Sequence, residues 1–238
     1  MYPNEAVKKS ILITGCSSGI GHTAAHGLKQ RGYRVFASAR KQAYVERLRN
    51  EGLEAVQLDL ADSDSIHQAL NQVLEASDGA LYGLFNNGAY GQPGAVEDLS
   101  RAVLREQFET NLFGWHELSN LCIPIMRAQG TGRIIQNSSV LGIVNLPYRG
   151  AYNASKFAVR GMTEALRQEL KLADSTVSCT SVHPGGIRTN IARNAKVVDR
   201  EGMDSQELAR EAADNFDKFA RTTPEQAAAA IIRAVEKD

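Results

Sequence analysis

Short apolar runs alternate with stretches of helical periodicity along most of the chain. Ile11 to Thr14, Val35 to Ser38, Ala55 to Leu58, Leu81 to Phe85, Ile134 to Ser138 and Ser175 to Val182 are compact runs that read as strands. Between them, His22 to Arg31, Ala43 to Asn50, Ser65 to Glu75, Phe108 to Met126 and Asn153 to Leu172 mix apolar and charged residues as half-buried helices do. Asp62 or Ser63 is a candidate cap for the third of these. Strands alternating with helices predict βα repeats, hence an α/β fold with a parallel sheet, helices on both faces and right-handed crossovers. The pattern breaks over Ile191 to Arg221, which is polar and alanine-rich with isolated Met203, Leu208, Phe216 and Phe219, and reads as a helical flap outside the sheet. Thr223-Pro224-Glu225 then opens a last helix, with Thr223 as N-cap and Pro224 in its first position. No domain-scale linker, repeat or low-complexity tract intervenes, so residues 1–238 are read as one domain with the flap at about 190–221.

Composition narrows the function classes. The 27 basic and 27 acidic residues cancel, leaving no global attraction to nucleic acid or anionic membrane. No apolar stretch is long enough to span a bilayer, and the start lacks the pattern of a signal peptide, so a cytoplasmic location is expected. Cys16, Cys122 and Cys179 are odd in number and lack metal-like spacing, which suits buried free thiols in a reducing compartment.

Candidate chemistry sits where strands end. Gly15-Cys16-Ser17-Ser18-Gly19-Ile20-Gly21 follows the first strand and precedes a helix, the arrangement that turns backbone N–H groups and a helix N-terminus toward a diphosphate. A purely structural glycine turn would read the same. The second strand ends in Ala39-Arg40-Lys41, where an acid would bind ribose hydroxyls and a base suits a 2′-phosphate; a solvated Arg40 is the bland alternative. Asp59 closes the third strand, and Asn86-Asn87-Gly88-Ala89-Tyr90-Gly91 follows the fourth, either as a ligand-binding edge or as an ordinary connector. Asn111 is a polar amide inside the longest apolar helix, either with buried partners or at its surface. Tyr152 and Lys156 stand four apart, so on a helix they share a face, and a cation near a phenol lowers its pKa. Pro184 stops the sixth strand, and His183 before it reads as a packing or hydrogen-bonding residue.

Together these segments resemble the short-chain dehydrogenase/reductase family, of the single-domain NAD(P)(H)-dependent type with a Rossmann-like doubly wound sheet. The resemblance runs from about Lys9 to Thr189 and is nearest to the aldehyde-, retinol- and hydroxysteroid-active branch, through Ser138-Ser139-Val140-Leu141-Gly142 and Arg149-Gly150-Ala151-Tyr152. It implies a catalytic set of Asn111, Ser139, Tyr152 and Lys156. It implies a cofactor site of Gly15, Cys16, Ser17, Ser18, Gly19, Ile20, Gly21, Arg40, Asp59, Leu60, Asn87, Gly88, Tyr152, Lys156, Pro184, Gly185, Ile187 and Thr189. The implied reaction is reversible hydride transfer between nicotinamide and a carbonyl or alcohol carbon, without a metal. Tyr152 would be the proton donor and acceptor, Ser139 would orient the substrate oxygen, and Lys156 would hold the nicotinamide ribose. Asn111 would bend its helix and hold a water that links Lys156 to solvent.

Ala39 in place of an acid, with Arg40 beside it, makes NADP(H) the expected cofactor, with weak hydrogen bonds from Cys16 and Ser17 added. Substrate choice falls to Gly91 to Glu97, Val140 to Tyr148 and the flap. The resemblance also implies a homodimer, or a homotetramer, in which the helices Phe108 to Met126 and Asn153 to Leu172 pair with their copies; Trp115, in the buried stripe of the first, and Phe157 on the second are large apolar groups consistent with burial of both helix faces. Two departures stand out. The family's usual Asn-Asn-Ala-Gly is here Asn86-Asn87-Gly88-Ala89, which would strain Ala89 if that position needs a left-handed backbone. The seventh strand usual after the last helix is absent before Asp238, so the chain either ends short or is truncated. A dinucleotide-sensing protein without turnover is the competing class, since a fold does not dictate an activity.

Overall fold

A computed structural model describes residues 9–191, 193, 195, 214, 218 and 220–237. Each of the six expected strands is present: β1 (Ser10–Ile13), β2 (Arg34–Ala39), β3 (Glu54–Gln57), β4 (Gly83–Asn86), β5 (Gly132–Asn137) and β6 (Val177–Val182). They form one parallel sheet in the order β3-β2-β1-β4-β5-β6. The chain starts at the centre, winds outward through β2 and β3, then crosses to β4 on the other side of β1. The carboxyl ends of β1 and β4 therefore part around a crevice, the place where open α/β sheets bind ligands.

Successive side chains of a strand face opposite sides, and the core divides accordingly. Leu12, Phe36, Leu84 and Ile134 point to a layer that includes Ile66 and Val73 of α3 (Ser63–Ala76), Trp115 and Leu118 of α5 (Gly114–Ala128) and Val159 of α6 (Gly150–Leu172). Ile11, Ile13, Phe85 and Ile135 point to the other, with Ala24 and Leu28 of α1 (Gly19–Gln30), Val45 and Leu48 of α2 (Gln42–Asn50) and Ile231 and Ile232 of α7 (Pro224–Glu236). The result is a Rossmann-like parallel sheet flanked by helices, as the alternation predicts.

Local chemistry sets the helix ends. Asp62, rather than Ser63, caps α3 by accepting from the Ser65 N–H at 3.2 Å. Thr223 opens α7 in a reciprocal capping box, its hydroxyl accepting from Gln226 N at 3.3 Å while the Gln226 side chain accepts from Thr223 N at 3.0 Å. α1 begins at Gly19, three residues before the predicted start, because the glycines themselves form its first turn. The helix predicted as one piece from Phe108 to Met126 is instead α4 (Arg101–Phe108), a π-helical segment (Glu109–Phe113) and α5. Ser100 caps α4, accepting from Val103 N at 3.3 Å. The flap predicted over Ile191 to Arg221 lies almost wholly outside the described residues.

Candidate active site

A net of short polar side chains fixes the strand ends around the crevice. The Thr14 hydroxyl, just past β1, accepts from the backbone N–H groups of Asn87 and Gly88 at 2.8 and 2.9 Å. The Asn87 amide donates back to the carbonyls of Thr14 and Gly15 at 2.9 and 3.1 Å, and its oxygen accepts from Asn137 at the end of β5 at 2.9 Å. The Asn137 carbonyl in turn accepts from the Lys156 ammonium at 2.8 Å. The glycine turn, the β4 end and the α6 lysine are thus one hydrogen-bonded unit.

Above this unit lies a cleft of about 630 Å³. Gly15, Ser17, Ser18, Gly19, Ile20, Asn87 and Gly88 line one part of it; Ser139, Tyr152 and Lys156 line another; Pro184, Gly185, Ile187 and Thr189 complete it. Cys16, Gly21, Arg40, Asp59, Leu60 and Asn111 do not line it.

Within the cleft, Tyr152 is partly exposed, but its phenol is stripped of water and pushed up to about 12. A hydrogen bond with the Ser139 hydroxyl and the charge of Arg149 pull the other way without overcoming this burial. The same burial pushes Lys156 down to about 7. Its ammonium stands 4.3 Å from the centre of the Trp115 ring and 5.6 Å from that of Tyr152. The lowered phenol expected from a nearby lysine is therefore not found: in the free protein, lost hydration outweighs the Ser139 hydrogen bond and the Arg149 charge, the groups that pull the phenol down. At neutral pH the phenol holds its proton, as an acid toward a substrate oxygen must.

Asn111 is fully buried in the π segment, off the cleft. Its oxygen accepts from Tyr90 N at 3.2 Å, and its amide donates to Tyr90 O at 3.0 Å and to the Ser155 hydroxyl at 3.2 Å. The amide thus ties the loop after β4 to α6, one residue from Lys156. The π segment breaks the regular helical ladder at Asn111.

The glycine turn fits a dinucleotide. Gly15 has φ 70°, and a Cβ there would lie 2.9 Å from Gly88 N; Gly19 has φ 63°, and a Cβ there would lie 2.9 Å from the Thr189 methyl. Ser18, the N-cap of α1, makes no side-chain capping bond among the described residues, leaving the first-turn N–H groups for an anionic ligand. Cys16 is a correction. Its N–H donates to Ser38 O at 2.7 Å and its thiol to Ile13 O at 3.3 Å, so it is buried structure and has no donor left for a phosphate. Burial pushes its thiol, like those of Cys122 and Cys179, to about 12. Asp59 accepts from Ala61 N at 3.0 Å, and Leu60 is buried beneath Gly88. Arg40 is exposed at the end of β2, near enough to Tyr90 for its charge to act on that phenol.

The Gly88-Ala89 exchange is accommodated. Ala89 is not among the residues with a left-handed backbone, and it packs partly buried against the core, so the strain expected of it does not arise. Trp115 is buried on the core side of its helix, as a large apolar group in that helix's apolar stripe should be, and its indole donates to Gly88 O at 2.8 Å. It is unavailable to a partner.

Four contributors escaped the sequence reading. Arg149 lines the cleft, and its charge acts on Tyr152 from three residues earlier. Arg47 on α2 donates to the Ser17 carbonyl, beside the expected phosphate site; its spacing from Arg40 on the rim of α2 was the available signal. Arg188 and Arg193 line an adjoining pocket of about 400 Å³ with Gly19 and Thr189. His183 bonds the Ser139 carbonyl at 3.2 Å, the hydrogen-bonding role read for it.

Comparison with known proteins follows the same lines. The family described as short chain dehydrogenase matches residues 9–199. The chain is 42% identical over 190 residues to the oxidoreductase YbbO of Escherichia coli (strain K12), covering 80% of this chain and 70% of that protein. It is 34% identical over 194 residues to a 3-ketodihydrosphingosine reductase of Bacteroides thetaiotaomicron, covering 81% and 69%. A short chain dehydrogenase/reductase from Burkholderia phymatum, solved in complex with NAD, superposes with a TM-score of 0.86 at 27% identity, covering 96% of this chain and 86% of that one. With the family match running from β1 past Thr189 and through the whole cleft, the chain belongs to the short-chain dehydrogenase/reductase family.

Proposed function

We propose that this protein is an NADP(H)-dependent oxidoreductase acting on bulky apolar aldehydes, ketones or the corresponding alcohols, in the manner of the retinol- and hydroxysteroid-active branch. The observation that carries the reading is the hydrogen-bonded Ser139–Tyr152 pair facing the same cleft as the glycine turn. Bound nicotinamide supplies a hydride for reduction or accepts one for oxidation. Ser139 donates a hydrogen bond to the substrate oxygen and sets its position. As negative charge grows on that oxygen, Tyr152 delivers its proton there, completing the alcohol; in oxidation it takes the proton back. Lys156 holds the nicotinamide ribose and, with a pKa near neutrality, passes a proton between Tyr152 and solvent. Asn111 is a positioning residue that keeps the loop after β4 against α6.

An apolar substrate is supported by the far side of the cleft. Val140, Leu141, Leu146 and Tyr148 line it, and Ile143 and Val144 stand exposed between them. Leu146 is 54% and Tyr148 68% exposed, a rim of oily side chains whose cost is recovered when a ligand covers them. Tyr148 is held at φ 60°, with its carbonyl bonded to Gly94 N at 3.1 Å, so the rim has a fixed backbone. The relative named for 3-ketodihydrosphingosine reduction supports a ketone. NADP(H) is supported by Ala39 and Arg40, with Arg47 nearby. The chain acts as one domain and as a homodimer in the cytoplasm, and three free, buried cysteines support the reducing location.

The test is consumption of NADPH by purified protein across apolar aldehydes, ketosteroids, retinoids and sugar ketones. Apolar carbonyls turn over and sugar ketones do not. Tyr152→Phe lowers kcat by about 10²–10⁴-fold and leaves NADPH affinity unchanged. Retention of more than about a tenth of wild-type kcat removes Tyr152 as the proton donor. Cofactor binding with no turnover on any carbonyl identifies a sensor instead.

A further inference from the structure

On the opposite flank of α1 from the core, two histidines and a carboxylate meet in a way that neither the cleft nor the proposed reaction uses. His22 and His26 stand four apart on α1 and so share a face. Both direct Nε2 at the same Glu51 oxygen, at 2.6 and 3.1 Å, from just past the end of α2. The three ligand atoms lie within 4.8 Å of one another, and the two rings meet edge-on with centres 4.8 Å apart. Among the described residues this is the sole cluster of three or more His, Cys, Asp or Glu side chains able to share an ion.

We propose that His22, His26 and Glu51 bind a divalent transition-metal ion of the zinc class. Two imidazoles one helical turn apart are a recurrent half of zinc sites, and a carboxylate supplies the third ligand. Donors bound to a common ion at about 2.0–2.1 Å lie roughly 2.9–3.4 Å apart, depending on the angle at the metal. The His26–Glu51 separation already falls in that range, the His22–Glu51 pair reaches it by opening a few tenths of an ångström, and the two imidazole nitrogens, within 4.8 Å of one another, close on the ion by side-chain rotation of groups about one-third exposed. That exposure leaves the remaining coordination position to water. The ion would tie the first half of α1, which carries the glycine turn, to the far end of α2. Two cations temper the affinity. Arg47 sits 3.4 Å from the other Glu51 oxygen, and Lys29 bonds the Gly52 carbonyl next door. The soft ligands that would compete are shut away, since all three thiols are buried.

The experiment is calorimetric titration of chelator-treated, full-length, cofactor-free protein with zinc, and with cobalt as a coloured probe. One equivalent binds with a micromolar dissociation constant, and the cobalt form shows the visible absorption of a site with nitrogen and oxygen ligands. His22→Ala with His26→Ala abolishes this binding, while Glu51→Gln weakens it at least tenfold; circular dichroism verifies that each variant is folded. Zinc at about 100 times its dissociation constant raises Tm by roughly 5–11 °C in the wild type and not in the double variant. Absence of saturable binding below millimolar zinc overturns the proposal, and so does binding that survives the double variant. Cobalt spectra of the wild type decide the question even if a variant fails to fold. None of these readouts involves turnover, so the outcome is independent of the oxidoreductase reading.

Discussion

Tyr152 and Lys156 are driven apart by one cause, burial, acting on groups of opposite charge type: the phenol is pushed up and the ammonium down. The lysine has a consequence for stability. In the fold it loses its proton near pH 7, whereas an unfolded lysine keeps it to about the ordinary 10.5. Between those values the unfolded chain binds more protons, so stability rises with pH. The cost of burying the charge is full below about pH 7 and fades toward 10.5. In cofactor-free protein, wild type therefore gains Tm relative to Lys156→Met as pH is raised from about 7 to about 9. A pH-independent difference between the two removes the lysine from its low-dielectric site. Arg40 offers a second residue-level test. An arginine that bonds a 2′-phosphate contributes a charged hydrogen bond, so Arg40→Ala lowers kcat/KM for NADPH by about 10–100-fold and leaves NADH unchanged. Equal wild-type use of both cofactors would show that Arg40 is a solvated side chain.

At the scale of elements, legibility followed local information. The strands, the glycine turn and the Thr223 cap were readable because each is specified by a few adjacent residues. The π segment was not. Glu109 to Phe113 continues a helical pattern, and the shift to π pairing depends on Asn111 reaching Tyr90 and Ser155, which are distant in sequence. α4 was missed because Arg101–Phe108 is only eight residues long, about two turns, too short for its periodicity to stand out. Within the site, residues set by spacing (Ser139, Tyr152, Lys156) were found, while Arg149 and Arg47 act through three-dimensional proximity. Cys16 was misread because its position in the turn says nothing of the Ser38 carbonyl that takes its N–H. The same logic separates two neighbouring positions in the turn. Gly15→Ala places a methyl in a left-handed backbone against Gly88, and lowers Tm together with dinucleotide affinity by at least tenfold. Ala89→Gly, at an ordinary backbone position, changes dinucleotide affinity by less than about twofold. Thermal melts with and without NADPH measure both, and a strong gain from Ala89→Gly would mean that the residue order after β4 is strained after all.

For the molecule as a whole, the homodimer proposed above would turn on the outer surface of α6. Ala154, Phe157, Gly161 and Ala165 recur at intervals of three and four and are exposed, forming an apolar stripe along a helix whose opposite side carries Lys156 and Val159 into the core. Phe157 is 42% exposed, and among the described residues nothing beyond the helix's own backbone lies within 4 Å of where a Gly161 side chain would begin, so a second helix has room to approach closely. The π segment packed against α6 adds Phe113, 49% exposed. Trp115 takes no part in this surface, since it is buried on the core side of its helix. A stripe of small residues centred on one phenylalanine suits pairing of α6 with its copy across a two-fold axis, which brings Phe157 near its own equivalent. Phe157→Glu would then set two carboxylates against each other in an apolar seam. At micromolar concentration the wild type sediments as a dimer and Phe157→Glu as a folded monomer, whereas Leu172→Glu, a change at a position 88% exposed at the end of the same helix, leaves the dimer intact. A wild-type monomer, or a dimer indifferent to Phe157→Glu, would place the subunit contact elsewhere.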